Sequence, residues 1–351
     1  MAEKFMENFL TNPPSLDGCS ILVTGATGSF GKRFVETLVK RYKSKRVIVF
    51  SRDELKQCEM AHHLSAAEFP VLRYFIGDVR DLDRLELALR GVDIVIHCAA
   101  LKQVQAAEYN PFECIHTNVM GAENIVRAAI RCGVKKVIAL SSDKAASPVN
   151  LYGASKLASD KIFVAANHLS GSDGTRFSVV RYGNVIGSRG SVVPLFQKLI
   201  SEKAKALPIT HSEMTRFWIT LQQAVNFVLS SINPMQGGEI FVPKIPSMRV
   251  AEVAKAMAPD LPHTIVGIRP GEKIHETLIT QDDARTTCEL EDRFVILPGI
   301  KFWKNDNFDQ LAKVQTNFSY TSDSNPDKLD IEGFRKLLQS DGRTLGGCAT
   351  S

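Results

Sequence analysis

Short apolar, β-branched runs alternate with helical patterns through the first half of this 351-residue chain. Strands that are apolar almost throughout, separated by helices, are typical of a parallel sheet covered on both faces. We therefore predict an α/β fold with a doubly wound parallel sheet. The predicted strands are 20–24, 46–51, 72–77, 92–98, 135–140 and 177–181. The predicted helices are 30–42, 54–67, 82–89, 115–132 and 152–169.

The regular alternation stops after Asn184, where glycines and a proline interrupt the chain. Shorter helical and strand patterns follow irregularly, at 194–202, 221–232, 239–243, 250–258 and 264–267. We predict a first domain over 16–184, to which some later segments return. A smaller α+β lobe that binds substrate should cover 185–340, and 341–351 should be a disordered tail.

A glycine-rich segment, TGATGSFG, follows the first predicted strand and opens the first helix. Glycines at this junction allow a tight turn and let backbone N–H groups approach a pyrophosphate, whose charge the helix N-terminus favours. We predict a Rossmann-like dinucleotide site, with a plain glycine turn as the alternative. The predicted cofactor-binding residues of this loop are Gly25, Thr27, Gly28, Ser29, Phe30 and Gly31.

The end of the second strand indicates which dinucleotide is bound. An acidic residue there would bind the ribose 2′-hydroxyl of NAD, but Ser51 occupies that position and Arg52 follows it. A guanidinium matches a phosphate in charge and geometry, and Lys56 lies one helical turn further on. We therefore predict NADP. Because Asp53 could still reach a ribose, NAD remains the alternative, and Arg52 and Lys56 could be only a solvated helix start.

Two more strand ends should line the same site. Asp78 and Val79 end the third strand, where an adenine edge can be contacted, although Asp78 could equally be a turn or cap residue. Cys98 and Ala99 end the fourth strand, and small side chains there let a cofactor lie flat over the sheet. We predict all four as cofactor contacts.

A reactive group follows the fifth strand, which ends at Ser142. Tyr152 and Lys156 are four residues apart and so share one helical face. A neighbouring ammonium and a positively charged nicotinamide ring would lower the pKa of the tyrosine, which could then take a proton from a sugar hydroxyl held by Ser142. Many surface helices contain YxxxK, but its combination with the glycine loop predicts an oxidoreduction site. Tyr152 and Lys156 are also predicted cofactor contacts.

The segments TGATGSFG, HCAALK and SS…YGASK resemble the extended short-chain dehydrogenase/reductase family. Longer blocks are similar to the inverting UDP-N-acetylglucosamine 4,6-dehydratases of pseudaminic acid biosynthesis. The resemblance covers about residues 16–276, and Ser142 stands where a threonine is usual, which keeps the hydroxyl group. The blocks are SRDELKQ, GDVRDL, SSDKAASPVNLYGASK, VRYGNVIGSRGSVVPLF, MTRFWITL, GGEIFVPKIPSM and GIRPGEKIHE.

The resemblance implies an NADP-dependent lyase that oxidises C4 of the hexose, eliminates water across C5 and C6, and reduces C6. It implies that Lys144 removes the C5 proton and that Asp143 protonates the departing C6 hydroxyl. Lys144 would have to be neutral, which requires burial or neighbouring positive charge. Asp143 would have to be protonated, which requires an apolar site or a nearby carboxylate. Without the resemblance, Asp143 could be a cap and Lys144 a surface charge.

A UDP-sugar brings two phosphates and a uracil ring, which the second lobe should bind. Arg216 and Arg269 are predicted diphosphate ligands and Lys102 a sugar contact, whereas Glu272 and Lys273 are expected only to orient a loop. The resemblance further implies a nucleotide cleft lined by Asn184, Val185, Val192, Val193, Pro194 and Leu195.

Composition argues against several other classes of protein. Lys and Arg number 43 against 38 Asp and Glu, a formal charge of +5 that is spread along the chain and gives little support to nucleic-acid or membrane binding. Seven scattered cysteines without a CxxC pair and eight histidines without ligand spacing predict a reducing compartment and no metal site. We recognise no secretory signal or membrane span and predict a cytoplasmic protein.

Three other functions stay open. A retaining 4,6-dehydratase shares the early chemistry, although larger membrane-anchored relatives of that type carry N-terminal spans. A UDP-sugar 4-epimerase would need Tyr152 and Lys156 but neither Asp143 nor Lys144. A catalytically silent NADP-sensing scaffold would need none of these four side chains. The resemblance also implies a homo-oligomer, a dimer or a hexamer, with UDP-N-acetylglucosamine as substrate.

Overall fold

The computed structural model describes residue 9 and residues 13–300, 307–308 and 310–341. Of the tail predicted to be disordered, all but Asp341 lies outside these residues. Strands and helices alternate up to Tyr182, and shorter elements follow.

Strands occur along the whole described chain. They are β1 (Ser20–Thr24), β2 (Arg46–Ser51), β3 (Leu72–Ile76), β4 (Ile94–His97), β5 (Lys136–Ser142), β6 (Arg176–Tyr182), β7 (Asn184–Val185), β8 (Leu207–Ile209), β9 (Thr215–Ile219), β10 (Ile240–Pro243), β11 (Ser247–Arg249), β12 (His263–Ile265), β13 (Thr277–Ile279), β14 (Thr287–Glu289), β15 (Arg293–Ile296) and β16 (Tyr320–Thr321).

Helices connect most of the strands. They are α1 (Ser29–Arg41), α2 (Glu54–His63), α3 (Leu82–Leu89), α4 (Val104–Tyr109), α5 (Pro111–Ile115), α6 (Gly121–Arg131), α7 (Leu151–Ser170), α8 (Val192–Ser201), α9 (Leu221–Ile232), α10 (Val250–Met257) and α11 (Ile331–Ser340). A π-helical turn (His116–Met120) precedes α6, and 3₁₀ turns occupy Asp143–Ala145 and Asp283–Thr286.

The central sheet has nine strands in the order β14-β15-β10-β6-β5-β4-β1-β2-β3. Pairing is parallel from β3 to β10 and antiparallel where β15 and β14 are added. All five residues of β1 are buried, so both faces of the sheet are covered there. The chain builds outward in two directions from β1 and β4, which confirms the predicted doubly wound sheet. Ligands bind such sheets at this switch point, beyond the carboxyl ends of the strands.

Two hydrophobic cores hold the elements together. The larger core surrounds the central sheet and includes Phe34 of α1 and Phe163 of α7, together with residues of the later strands β10 and β15. The smaller core joins α8, α10 and α11 around Trp218, whose ring lies 5.3 Å from that of Phe334 in an edge-to-face arrangement. Several later segments thus pack on the central sheet, while the division of the chain at residue 184 stays a prediction.

The region before α6 differs from the predicted single helix over 115–132. Two short helices, α4 and α5, precede a π-helical turn, and α5 begins at Pro111, whose fixed φ suits a first helical turn. The π turn directs Asn118 towards the loop after β4. Its side chain accepts a hydrogen bond from the backbone N–H of Leu101 at 2.8 Å and donates one to the carbonyl of Leu101 at 2.9 Å. The irregular turn therefore holds the loop that carries Lys102.

Candidate active site

A cavity of about 790 Å³ opens at the carboxyl ends of β1, β2, β4, β5 and β6. It brings the glycine loop, the strand ends and the reactive group of the sequence prediction to one place. The predicted residues that line it are Gly25, Thr27, Gly28, Ser29, Phe30, Gly31, Ser51, Arg52, Asp53, Lys56, Asp78, Val79, Cys98, Ala99, Lys102, Ser142, Asp143, Lys144, Tyr152, Lys156, Asn184, Val185, Val192, Leu195, Arg216 and Arg269.

The glycine loop has the geometry of an anion cradle. Gly25 has a φ of +60°, and a Cβ added to it would lie 2.8 Å from the Cα of Ala99, so only glycine fits there. A Cβ on Gly31 would lie 2.5 Å from the Cα of Ala26. Gly28 precedes α1 without a side-chain cap, so the first turn of the helix faces the cavity with backbone donors. These features fit a nucleotide pyrophosphate.

In the segment after β2, Asp53 and Lys56 pair with each other and Arg52 does not join them. Ser51 is buried and its Oγ accepts a hydrogen bond from the Thr27 hydroxyl at 3.1 Å. Asp53 caps α2 by accepting from the backbone N–H of Lys56 at 3.0 Å, and its carboxylate also pairs with the Lys56 ammonium. That side-chain hydrogen bond is the main cause of the lowered pKa of Asp53. Asp53 and Lys56 thus bind each other, whereas Arg52 extends into solvent with 55% of its side chain exposed.

Asp78 lies between two arginines at the end of β3. Arg80 donates to Asp78 Oδ2 from Nε at 3.0 Å and from Nη2 at 2.8 Å, while Arg52 Nη1 lies 3.7 Å from the same oxygen. Burial acts to raise the pKa of Asp78, but the hydrogen bonds and charge of Arg80 outweigh it and lower the pKa. Asp78 is therefore ionised and hydrogen-bonded mainly to Arg80. Arg52 interacts with Asp78 only at longer range, so more of its charge is available to a ligand.

Ser142, Tyr152 and Lys156 meet between β5 and α7. Ser142 and Tyr152 both line the cavity, and Lys156 is buried and donates from Nζ to the Leu140 carbonyl at 2.6 Å. Burial raises the pKa of Tyr152, although the Ser142 hydroxyl and the Lys144 charge act in the opposite direction. Among the protein's own groups, removal of the phenol from water outweighs the nearby positive charge, and the lowering expected with a nicotinamide ring alongside stays a prediction.

Two carboxylates flank Lys144. Its Nζ lies 2.9 Å from Asp143 Oδ1 and 3.3 Å from Glu276 Oε1. The 3₁₀ turn after β5 places Asp143 inside the protein, where Ser142 caps the turn by accepting from the Lys144 N–H at 3.2 Å. Asp143 is 1% exposed, and its Oδ2 has no hydrogen-bond partner among the described residues. The predicted acid and base therefore contact each other at the cavity wall.

The pKa shift of Asp143 has the predicted direction, whereas that of Lys144 has the opposite direction. Burial raises the pKa of Asp143, and the Glu276 charge adds to this, so the carboxyl is easier to protonate, which is the direction predicted. Burial acts to lower the pKa of Lys144, but the carboxylates of Asp143 and Glu276 outweigh it and raise the pKa. The expected neutral lysine is therefore wrong for the resting protein. Glu276, which lies far from Lys144 in the sequence, contributes to this difference.

The predicted diphosphate ligands, Arg216 and Arg269, differ in how many hydrogen bonds and ion pairs each makes within the protein. Arg216 is buried, and its guanidinium donates to the carbonyls of Thr215 at 2.7 Å, Ile274 at 3.0 Å and Lys273 at 2.9 Å. Its Nε lies 3.7 Å from Glu276 Oε1. Arg269 is half exposed and lies 3.8 Å from Glu272, so it remains the more accessible cation of the two.

Lys102 and Arg189 are two further positively charged residues that line the cavity. Lys102 is an exposed residue, but partial desolvation of its ammonium and the charge of Arg189 lower its pKa. Arg189 also lines the cavity, beside Gly190, where an added Cβ would lie 2.6 Å from Nε2 of Gln103. Arg189 and Gln103 were not predicted as site residues, although VRYGNVIGSRGSVVPLF and HCAALK run through or next to them.

The predicted run over Val192–Leu195 lies on both faces of α8. Val192 and Leu195, three residues apart, face the cavity. Val193 is fully buried in the smaller core, and Pro194 does not line the cavity either. The prediction of a continuous lining is wrong for these two residues, because a helix turns successive side chains in different directions.

Lys273 and Glu276 are the main residues that the sequence prediction missed or undervalued. Lys273 Nζ donates to the Ala146 carbonyl at 2.6 Å and lies 3.8 Å from Glu276 Oε2, so it does more than orient its own loop. Both residues belong to the segment GIRPGEKIHE, whose density of charge was the available signal.

Comparison with known proteins agrees with this geometry. The model of a family described as "Polysaccharide biosynthesis protein" matches residues 21–298. The chain belongs to that family. The chain is 58% identical over 314 residues to a "UDP-N-acetylglucosamine 4,6-dehydratase (inverting)" of Campylobacter jejuni, an alignment that covers 88% of this chain and 93% of the relative. The identity to this relative confirms the resemblance stated from the sequence.

One further relative and one solved structure are also similar to this chain. A "UDP-glucose 4-epimerase" of Rickettsia canadensis is 42% identical, with 91% of this chain and 95% of that protein covered. The X-ray structure of Pen from Bacillus thuringiensis superposes with a TM-score of 0.85 at 35% identity, covering 93% of this chain and 99% of that one. Dehydratases and epimerases therefore share this fold, and the side chains of the site have to distinguish them.

No helix in the described part of the chain combines the length and the apolar character needed to cross a membrane. The same residues contain no group of three or more His, Cys, Asp or Glu side chains arranged to hold a metal ion.

Proposed function

We propose that this protein catalyses the NADP-dependent 4,6-dehydration of UDP-N-acetylglucosamine with inversion at C5, giving a UDP-2-acetamido-2,6-dideoxy-hex-4-ulose. The observation that carries this function is the contact between Asp143 and Lys144, 2.9 Å apart, in the cavity that also contains Tyr152 and the glycine loop. The 58% identity to an inverting dehydratase supports the substrate and the stereochemistry.

The residues of the site divide the proton transfers among them. Tyr152, held by Ser142, accepts the proton of the C4 hydroxyl, and Lys156 supplies positive charge behind it. When bound, the nicotinamide nucleotide would accept the hydride from C4 and return it to C6. Lys144 takes the proton from C5, which the C4 ketone has made acidic, and Asp143 gives its proton to the C6 hydroxyl, which leaves as water. Inversion requires that C5 regain a proton on its opposite face.

The nucleotide fits the glycine loop, because Gly25 and Gly31 let the loop pack tightly against the backbone of Ala99 and Ala26 and so form the turn that presents backbone N–H groups to a pyrophosphate. NADP is supported over NAD by Ser51 at the position where an acid would bind a ribose, and by the exposed Arg52 beside it. Asp53, which could have bound the ribose of NAD, instead caps α2 and binds Lys56. NAD stays the alternative, and the KM values of Arg52→Ala for NADP and NAD test it.

The substrate ligands are proposed from the charges around the cavity. Arg269 and Lys102 supply accessible cations for the diphosphate and the sugar, and Arg216, which is buried, contributes charge from the cavity wall. Asn184, Val185, Val192 and Leu195 would line the nucleotide cleft.

A UDP-sugar 4-epimerase is the strongest competing function, because a relative with 42% identity carries that name. An epimerase needs Tyr152 and Lys156 but has no use for an acid–base pair at C5. The burial of Asp143 and its contact with Lys144 therefore favour the dehydratase. A retaining dehydratase and an NADP-sensing scaffold remain as outcomes of the test.

The test is incubation of the purified protein with UDP-N-acetylglucosamine and NADP in deuterated water, followed by NMR. We expect a C6 methyl group, a C4 ketone, deuterium at C5 and inverted configuration at C5. Retained configuration would indicate the retaining reaction, and a C4 epimer alone would indicate an epimerase. An unchanged sugar would contradict enzymatic dehydration altogether.

We further propose a cytoplasmic homo-oligomer, a dimer or a hexamer, whose product enters pseudaminic acid biosynthesis. An apolar surface supports self-association, since Tyr109 of α4 is 88% exposed and Phe112 of α5 is 77% exposed. Light scattering of the purified protein and of a variant with Tyr109→Ser and Phe112→Ser should show the assembly and its loss. A monomeric native protein would contradict this part of the proposal.

A further inference from the structure

Glu276 lies among the charged groups of the acid–base pair but has no role in the steps above. It is 2% exposed and directly precedes β13. Its Oε1 lies 3.3 Å from Lys144 Nζ and 3.7 Å from Arg216 Nε, and its Oε2 lies 3.8 Å from Lys273 Nζ. An ionised carboxylate buried this deeply is costly unless it is paired, and here three cations pair it.

The backbone of Glu276 is fixed on both sides by Ser322. The N–H of Glu276 donates to Ser322 Oγ at 2.9 Å, and the N–H of Ser322 donates to the carbonyl of Glu276 at 2.8 Å. Ser322 Oγ is in turn 2.6 Å from the hydroxyl of Thr215, the residue before Arg216. The carboxylate is therefore held at a defined place between β9 and the C-terminal segment.

We propose that Glu276 is a positioning residue for the acid–base pair formed by Asp143 and Lys144. The negative charge of Glu276 keeps one proton shared between these two side chains, and that proton is the one that the C6 hydroxyl needs in order to leave. This inference rests on the proposed function. Glu276 contacts Lys144 and the two cations behind it, and it acts on the substrate only through Asp143 and Lys144.

The proton balance of the pair explains why a third charge is needed. An ionised Asp143 with a protonated Lys144 contains the same number of protons as a neutral Asp143 with a neutral Lys144. The two forms interconvert by one proton moving along the 2.9 Å contact. The second form is the reactive one, because Asp143 then carries the proton for the C6 oxygen and Lys144 has a free electron pair for the C5 proton. Elimination transfers both protons and leaves the first form.

The neighbouring charges determine how firmly the pair keeps its shared proton. Arg216 faces it from β9 and Lys273 from the loop before β13, and both favour loss of the proton, as positive charges do. Tyr152 faces the pair from α7 as a neutral phenol. Glu276 is the carboxylate that opposes the two cations, and it raises the pKa of both Asp143 and Lys144. Its removal should lower both values together.

The experiment compares pH profiles of kcat for UDP-N-acetylglucosamine dehydration and of C5 deuterium incorporation. The reactive pair exists between the pH at which it gains an extra proton and the pH at which it loses the shared one, so each profile is bell-shaped. In Glu276→Gln we expect both limbs to move to lower pH by about one unit or more, with a lower maximum. Glu276→Asp, which keeps the charge one methylene further away, should move the limbs less. Glu213→Gln, which removes an exposed carboxylate paired with Arg249, should leave them unchanged.

The outcomes separate this inference from the proposed function. Active native enzyme with unmoved limbs in Glu276→Gln would overturn the inference alone, even if the variant is less stable or uniformly slower. Native enzyme that leaves UDP-N-acetylglucosamine unchanged would overturn both. If Glu276→Gln fails to fold, Glu276→Asp carries the same test. Limbs at the native positions in that variant would then count against the inference.

Discussion

Lys144 Nζ lies 3.3 Å from Glu276 Oε1, although the two residues come from distant parts of the chain, one after β5 and the other before β13. This contact reverses the protonation that the sequence predicted for Lys144. A lysine beside positive charges would be neutral, whereas a lysine between two carboxylates is an ammonium. Under the proposed mechanism, Lys144 therefore has to transfer its proton to Asp143 before it can take the one from C5.

Replacing Arg52 should discriminate between the two dinucleotides. Arg52→Ala removes the exposed guanidinium beside Ser51, which would bind a 2′-phosphate but gains nothing from a 2′-hydroxyl. We expect KM for NADP to rise by about tenfold or more and KM for NAD to stay within about twofold. Arg41→Ala, at an exposed position at the end of α1, serves as the control. Equal effects on both nucleotides would exclude Arg52 as the selective residue.

Two glycines with positive φ allow backbone strain to be separated from cofactor approach. Gly25→Ala brings a Cβ to 2.8 Å from the Cα of Ala99, whereas Gly133→Ala has φ of +66° but open space around its Cβ. Both substitutions should cost about 1–2 kcal/mol of unfolding free energy, and more at Gly25. Only Gly25→Ala should weaken nucleotide binding, by about tenfold or more in a fluorescence titration. Equal affinities for the two variants would contradict the cradle.

The buried imidazole of His97 should make stability fall in acid. Its Nδ1 lies 2.9 Å from the Thr24 hydroxyl, and burial lowers its pKa to about 3. Because the unfolded chain binds a proton near pH 6.5 and the native protein does not, this group's contribution is lost as pH falls from about 6.5 towards 3. It should amount to about 2 kcal/mol between pH 7 and pH 5.

His97→Gln removes this titration and should flatten the dependence of unfolding free energy on pH by that amount, as measured in urea. His63→Gln, on the exposed end of α2, should leave the slope unchanged. A native slope retained in His97→Gln would show that His97 titrates normally.

Local patterns were enough to predict the sheet and the cofactor loop. The strands that precede Gly25 and Ser142 are short apolar runs, and their buried environment in the structure follows from that composition. Gly25 was predictable because its backbone conformation excludes other residues, and the short glycine-rich segment TGATGSFG alone is enough to recognise this requirement. The same holds for Tyr152 and Lys156, which a single helix brings together.

The electrostatics of the site depended on contacts that no local pattern contains. Glu276 reaches Lys144 only after β9, β13 and the C-terminal segment have packed together, so its effect on the Lys144 pKa was not predictable from spacing. Val193 was misjudged for a related reason, since its burial depends on α10 and α11 covering that face of α8. Local motifs identify chemical groups, and tertiary packing determines their charge.

Lys144 is proposed as the base that removes the C5 proton, and C5 deuterium incorporation in Lys144→Ala measures this role most directly. The control is Lys161→Ala, which removes an exposed lysine of α7. We expect Lys144→Ala to keep its circular dichroism spectrum and its nucleotide affinity while deuterium incorporation and dehydration fall by about 10²–10⁴-fold. The control should match the native protein. Dehydration by Lys144→Ala at close to the native rate would contradict the account.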